Sequence, residues 1–222
     1  AKRSIKRLLK MQNLPESDII ANIENGKTFE ALSLESSLAI KIEDYVPYVC
    51  AAIHHGHQLR PELTAKCALT EAERLYEEDP YTGDFMASMP ITLIAQDSRY
   101  EYDLNRPPEQ CIYDIAWGKP VWNQSLDSDE RSLSQAKHQS YYRILRTLVY
   151  QLERRFKACV IYDVHSYNYK RSDSPDTPTF NIGTSQIDEK KWQAVIEHFL
   201  EKLGKLELPN IDVRAAKNEV FQ

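Results

Sequence analysis

Two apolar runs in this chain of 222 residues are each followed by histidine. The first, Tyr48-Val49-Cys50-Ala51-Ala52-Ile53, leads into His54, His55, Gly56 and His57. The second, Cys159-Val160-Ile161-Tyr162-Asp163-Val164, leads into His165 and Ser166. Apolarity sustained over so few residues predicts strands buried on both faces. In open α/β sheets, ligands gather beyond the carboxyl ends of the strands. Two such strands lying parallel and adjacent would bring His54 and His165 to one edge. Neutral imidazole is well matched to Zn2+, and a third ligand with an open water position completes a hydrolytic site. Glu62 is the nearest carboxylate downstream of His54, and a loop can fold it back as that third ligand. A lone histidine at a strand end is commonly a structural hydrogen-bonding group. Two of them, each closing an apolar run, favour a site.

Other residues fit around such a centre. Asp163 lies two positions before His165 and so shares its face of a strand. It is expected either to orient the ligand imidazole or to cap a neighbouring helix. Between Arg99 and Asn105 the residue types alternate. Arg99, Glu101, Asp103 and Asn105 take one face of an expected strand, and Tyr100, Tyr102 and Leu104 the other. Arg106 follows, fixed by Pro107, and offers a bidentate fork to a carboxylate. Arg99 is the other candidate anchor. His138 borders the apolar face of a long helix close to Tyr141 and Tyr142; packing is its plainer role, facing the site the other.

These side chains need a scaffold, and composition bounds its kind. Hydrophobic residues make up 42% and aromatics 10%, enough for a core. The net charge of -5 gives no basic footprint for nucleic acid. No apolar run reaches the roughly 18 residues of a membrane span. Four scattered cysteines without a C-x-x-C pair argue against a disulfide framework or a cysteine zinc knot. With no secretory signal visible, a cytoplasmic location is the default expectation. Lys2, Arg3, Lys6, Arg7 and Lys10 are expected in a solvated end helix.

Strands are expected at Leu38–Ile42, Tyr45–Ile53, Pro90–Ile94, Arg99–Leu104, Cys159–Val164 and near Ile211–Val213. Helices are expected in Ser17–Leu34, at Thr70–Glu78 behind a capping box of Thr70 and Glu73, and at Ser128–Phe156 and Asp188–Leu203. Trp117 and Trp122 sit in a Pro- and Gly-marked stretch that their burial would anchor. A loop of Ser, Asp and Pro is expected over Ser172–Pro178. The pattern predicts an α/β fold with a mixed, mostly parallel central sheet and helices on both faces, hydrolase-like in layering. Residues 1–36 read as an N-terminal helical extension and residues 37–222 as the catalytic domain.

Taken together, the motifs resemble the N-formylglutamate amidohydrolase family. The resemblance rests on His54-His55-Gly56 with Pro61-Glu62, on Ser98-Arg99 with Asp103-Leu104-Asn105-Arg106-Pro107, and on Asp163-Val164-His165-Ser166. His138 with Tyr141 and Tyr142, Ile182-Gly183-Thr184, and Val213-Arg214 with Asn218 add to it. It implies a zinc-dependent amidohydrolase with a fold like the zinc carboxypeptidases, acting on an N-acyl amino acid such as N-formylglutamate or on a short peptide. His54, Glu62 and His165 would then hold the metal, with His55 or His57 as alternatives to His54. Asp163 and His57 would support it. Arg106, with Arg99 and Asn105, would hold the substrate. Glu62, Arg106 and His138 are the catalytic candidates, Glu62 as proton acceptor only if it is not a ligand. The family pattern continues into a further Glu-bearing strand, whereas this sequence stops at Gln222. A metal- or ligand-binding module without turnover is the alternative, and a partner- or nucleic-acid-binding role for the basic amino end is a third.

Overall fold

The computed structural model describes residues 11–33, 35–167 and 177–219. They divide into two compact units at residues 166/167. The basic residues 2–10 and most of the Ser172–Pro178 loop lie outside the described residues.

In the first unit the elements run β1 (Gln12–Leu14), α1 (Glu16–Glu24), β2 (Phe29–Ser33), β3 (Leu38–Ile42), β4 (Tyr48–Ala52), α2 (Pro61–Lys66), α3 (Glu71–Glu77), α4 (Thr82–Phe85), β5 (Ile91–Ala95), β6 (Ile115–Ala116), β7 (Lys119–Pro120), α5 (Ser128–Phe156) and β8 (Val160–Asp163). Six strands form one sheet in the order β1-β2-β3-β5-β4-β8. β4 lies parallel to both β5 and β8, while β3 runs antiparallel to β2 and β5. The mixed α/β sheet expected from the sequence is therefore present.

Alternation along β4 divides the core. Val49 and Ala51 pack with Ile19 and Ile23 of α1 and with Ile144, Leu148 and Leu152 of α5. Cys50 and Ala52 point to the opposite face, against Met86 just past α4. β4 is thus covered on both sides, which explains its unbroken apolar run. α5 begins at a capping box of Asp127 and Glu130 and buries Tyr141, Ile144, Leu148 and Leu152 at helical spacing. α3 starts behind the Thr70–Glu73 capping box read in the sequence.

Four expectations change. Residues 17–34 hold one helix and then β2, and β2 pairs with β3, so the sheet runs across residue 36 without a break. Arg99–Leu104 is a chain of turns, not a strand. Its alternating pattern misled because Tyr100, Glu101, Tyr102 and Asp103 are all buried, the carboxylates as acceptors for buried donors. Among the described residues β8 pairs with β4 alone, and Ile161 is 44% exposed, so β8 is not buried on both faces. Trp122 is buried, but Trp117 is half exposed.

In the second unit β9 (Phe180–Ile182) and β10 (Ala215–Lys217) pair in parallel beside α6 (Glu189–Gly204). The last strand thus lies slightly beyond its expected place. Among the described residues no helix is long and apolar enough to cross a membrane.

Leu148, fully buried in α5, tests this packing. Leu148→Ala should lower the unfolding free energy by about 2–5 kcal/mol in urea denaturation. A loss below about 1 kcal/mol would contradict a tight helix–sheet interface at that point.

Candidate metal centre

Because β4 and β8 are parallel neighbours in register, their carboxyl ends deliver His54 and His165 to the same edge of the sheet. The two rings meet edge to face with centroids 4.9 Å apart. Between them stands Asp79, two residues past α3. Its Oδ2 lies 3.3 Å from His54 Nδ1 and 3.0 Å from His165 Nδ1. Ser166 Oγ donates to the other oxygen at 2.9 Å. Asp79 is itself pinned, since its main-chain N–H donates to the His54 carbonyl at 2.9 Å.

A carboxylate stands behind each imidazole. Asp103 Oδ1 lies 2.7 Å from His54 Nε2, and Asp163 Oδ2 lies 3.1 Å from His165 Nε2. Burial pushes the Asp103 carboxyl upward, but His54, Arg99 and Tyr113 outweigh it and hold the group well below the usual carboxylate range. An ionised carboxylate only accepts hydrogen bonds. The proton of a neutral His54 must then sit on Nε2, which leaves the Nδ1 lone pair facing Asp79. Asp163, facing His165 Nε2, likewise leaves His165 Nδ1 turned toward Asp79. This assignment follows from the hydrogen-bond network.

With both imidazoles neutral, three electron-rich atoms converge with no hydrogen to place between them. His54 is 1% exposed, and its Nδ1 has no hydrogen-bond partner among the described residues. A buried polar atom without a partner costs free energy unless a cation or proton fills the gap. One ligand atom from each of His54, Asp79 and His165 lies within 4.8 Å of the others. The two separations through Asp79, 3.3 and 3.0 Å, lie at and just below the roughly 3.3 Å between donors in a tetrahedron of ~2.0 Å zinc bonds. Two imidazoles and a carboxylate, each imidazole backed by a carboxylate, suit a zinc ion that keeps an open position. Without a cation a proton serves instead. Burial lowers the His165 pKa, but Asp163 and Asp79 drive it up to about 10. Burial likewise raises Asp79, and the two imidazoles more than reverse this.

The other expected residues are distributed differently. Glu62 stands outside the cluster. Pro61 opens α2 directly before it, which leaves Glu62 in the exposed first turn, 3.3 Å from Arg60 in an ion pair. Asp79 occupies the place expected for it. No local signal marked Asp79 among 33 acidic residues, and it lies 25 positions from His54. His55 is drawn away by the Gly83 N–H, which donates to its Nδ1 at 3.2 Å. His57 is exposed and outside the cluster, not supporting it. Arg99 is committed to the fold, binding Asp103 Oδ2 at 2.7 Å and the Glu77 carbonyl at 2.9 Å. Asn105 donates its main-chain N–H to Asp103 at 2.7 Å. His138 is buried, with Nε2 2.9 Å from the Arg106 carbonyl. It holds the main chain of Arg106 and not the metal cluster. The Arg106 guanidinium reaches Tyr113 Oη at 3.4 Å and borders a cavity of about 560 Å³ with Asn105, His138, Tyr142 and Arg146.

Gly56 is required by close approach. A Cβ there would lie 2.0 Å from the main-chain carbonyl carbon of Gln96. Gly56→Ala should destabilise the protein by about 1–3 kcal/mol in denaturant titration, the usual cost of overpacking. A change within about 0.5 kcal/mol, as at an ordinary surface site, would show that the turn after β4 does not lie flat on Gln96.

The chain is similar to known proteins in sequence and in fold. The family description N-formylglutamate amidohydrolase matches residues 46–222. An N-formylglutamate deformylase of Pseudomonas aeruginosa is 29% identical over 163 residues, covering 63% of this chain and 60% of that protein. The chain thus spans about 60% of the length of this curated relative. In fold it is similar to an N-formylglutamate amidohydrolase from Ralstonia eutropha JMP134, with a TM-score of 0.63 at 16% identity over 82% of this chain and 76% of that one. A protein from Agrobacterium tumefaciens is also similar, with a TM-score of 0.60 at 12% identity over 83% and 74%. A family match over most of its length, carrying both histidine segments, makes this chain a member of the N-formylglutamate amidohydrolase family.

Proposed function

We propose that this chain is a metal-dependent amidohydrolase, zinc being the best-fitting ion, that cleaves the amide or formamide bond of an N-acyl amino acid such as N-formylglutamate. The observation that carries the reading is the convergence of His54 Nδ1, His165 Nδ1 and Asp79 Oδ2, with the buried His54 Nδ1 left without a hydrogen-bond partner among the described residues. The curated relative's name, a deformylase, points to the same bond type.

His54, Asp79 and His165 would hold the ion. When bound, such an ion supplies Lewis acidity and lowers the pKa of a bound water from 15.7 toward about 7. Asp103 and Asp163 keep the two imidazoles in the tautomer that presents Nδ1. Arg99 and Tyr113, both bonded to Asp103 Oδ2, fix that carboxylate in turn. Arg106 emerges three residues after Asp103, is exposed, and borders the cavity. It is placed to grip an acidic group and so to orient the scissile amide. Tyr113, beneath its Nε, and His138, on its carbonyl, set the direction of that guanidinium.

Elemental analysis of the purified protein tests the core of this reading. Near one equivalent of metal is expected, with loss in His54→Ala, Asp79→Ala and His165→Ala and retention in Glu62→Ala. Equal metal content in all variants would remove the centre. Metal bound without hydrolysis of N-formyl or N-acetyl amino acids would return the binding-module reading. Uptake should also depend on pH in a definite direction. The metal-free His165 keeps its proton below a pKa of about 10, so binding must expel that proton. Apparent affinity should rise between pH 6 and 8 by up to about tenfold per unit, measured by competition with a chromophoric chelator. A flat profile would exclude His165 as a ligand.

A further inference from the structure

The short hairpin of β6 and β7 places Trp117 at its tip. Ile115 pairs with Pro120 and Ala116 with Lys119. The two tip residues, Trp117 and Gly118, have φ of 48° and 76°, the left-handed pair of a type I′ turn. Glycine adopts that backbone readily, whereas a bulky side chain does so against a steric penalty. The hairpin is nevertheless well anchored. Ala116, Val121 and Trp122 belong to a core cluster, Val121 N–H donates to the Asp114 carbonyl at 2.9 Å, and Trp122 Nε1 donates to the Tyr113 carbonyl at 2.7 Å. A large aromatic is thus held by a rigid base in a conformation it does not favour, with half its surface open to solvent.

Its neighbours give the position meaning. The Arg99 guanidinium carbon lies 5.0 Å from the centroid of the indole, and the rings of Tyr100 and Tyr113 lie 5.9 Å from it. Arg99 and Tyr113 are the two side chains that hold Asp103 Oδ2, one bond removed from His54. Tyr113 Oη also receives Arg106 Nε. The indole therefore stands against Arg99 and Tyr113, the side chains that join Asp103, behind His54, to Arg106. Arg99 cannot swing away, being tied at both ends to Asp103 and Glu77.

We infer that Trp117 is a specificity-determining residue whose exposed indole surface packs against the hydrocarbon part of the substrate, between the amide at the metal centre and the acid group at Arg106. The inference rests on the hydrolase reading for the identity of the ligand. The ligand class is an N-acyl amino acid with an extended or aromatic side chain, since a flat apolar surface contributes in proportion to the apolar area laid on it.

The test uses the whole, zinc-supplemented protein with N-formyl derivatives of glycine, leucine, glutamate and phenylalanine. Trp117→Ala should raise KM for the leucine and phenylalanine substrates by about ten- to thirtyfold and for the glycine substrate by less than about threefold, with kcat nearly unchanged. Trp117→Phe, which keeps a ring over Arg99, should recover most of the difference. In parallel, N-acetylphenylalanine should quench the tryptophan emission of the wild-type protein, and Trp117→Phe should lose that response. A loss uniform across the substrate series would overturn the inference, since the indole would then only shield the Arg99–Asp103 pair. So would wild-type emission indifferent to N-acetylphenylalanine. Hydrolysis with an unaltered substrate profile in Trp117→Ala overturns the inference and leaves the hydrolase reading standing. Quenching that depends on Trp117 without any turnover sinks the hydrolase reading and leaves the platform in place.

Discussion

The arrangement turns on one electrostatic constraint: Asp79 Oδ2 faces two imidazole nitrogens, and each imidazole is already committed at its other nitrogen to a carboxylate. With three carboxylates around two rings, the local charge is negative. A proton or a metal cation must restore the balance. Much of the surrounding structure keeps this imbalance in place. Asp103 is enclosed by Arg99, Tyr113, the Asn105 N–H and His54, so it cannot rotate away from the ring.

The turns from Asp97 to Asp103 show how far that support extends. Lys137 of α5 binds Asp97 Oδ2 at 3.0 Å and Glu101 Oε1 at 2.9 Å. Tyr102 Oη donates to the same Asp97 oxygen at 2.7 Å, and the Arg60 N–H donates to Glu101 at 3.0 Å. Burial and Asp97 raise the Glu101 carboxyl, while Lys137 opposes them. Such a network is costly to assemble, but once satisfied it fixes one backbone path. That path ends at Asp103 and so at His54. The long helix thus serves the centre twice, through Lys137 and through the His138 contact to the Arg106 carbonyl.

Family membership and the geometry support each other without being the same argument. The family match covers residues 46–222, whereas the sheet begins earlier, at β1, β2 and β3. β3 lies beside β5, which in turn flanks β4, the strand that leads to His54. The segment before the family region is therefore part of the same sheet.

The sequence alone determined the elements whose signals are local. The capping box at Thr70, the helical spacing in α5 and the unbroken apolar run of β4 depend on neighbours a few positions apart. The two histidines could likewise be read because each directly follows its strand. Tertiary structure decided what depends on distant partners. It alone set Asp79 between the two imidazoles while Glu62 went to the surface, because a ligand need only be near in space and the loop after α3 happens to end there. It alone turned Arg99 from an expected substrate anchor into a clamp on Asp103, since the burial of Asp103 demanded a fixed cation. The alternation of Arg99–Leu104 resembled a strand for the same reason: its inward carboxylates answer to Lys137 and His54, which the local pattern does not contain.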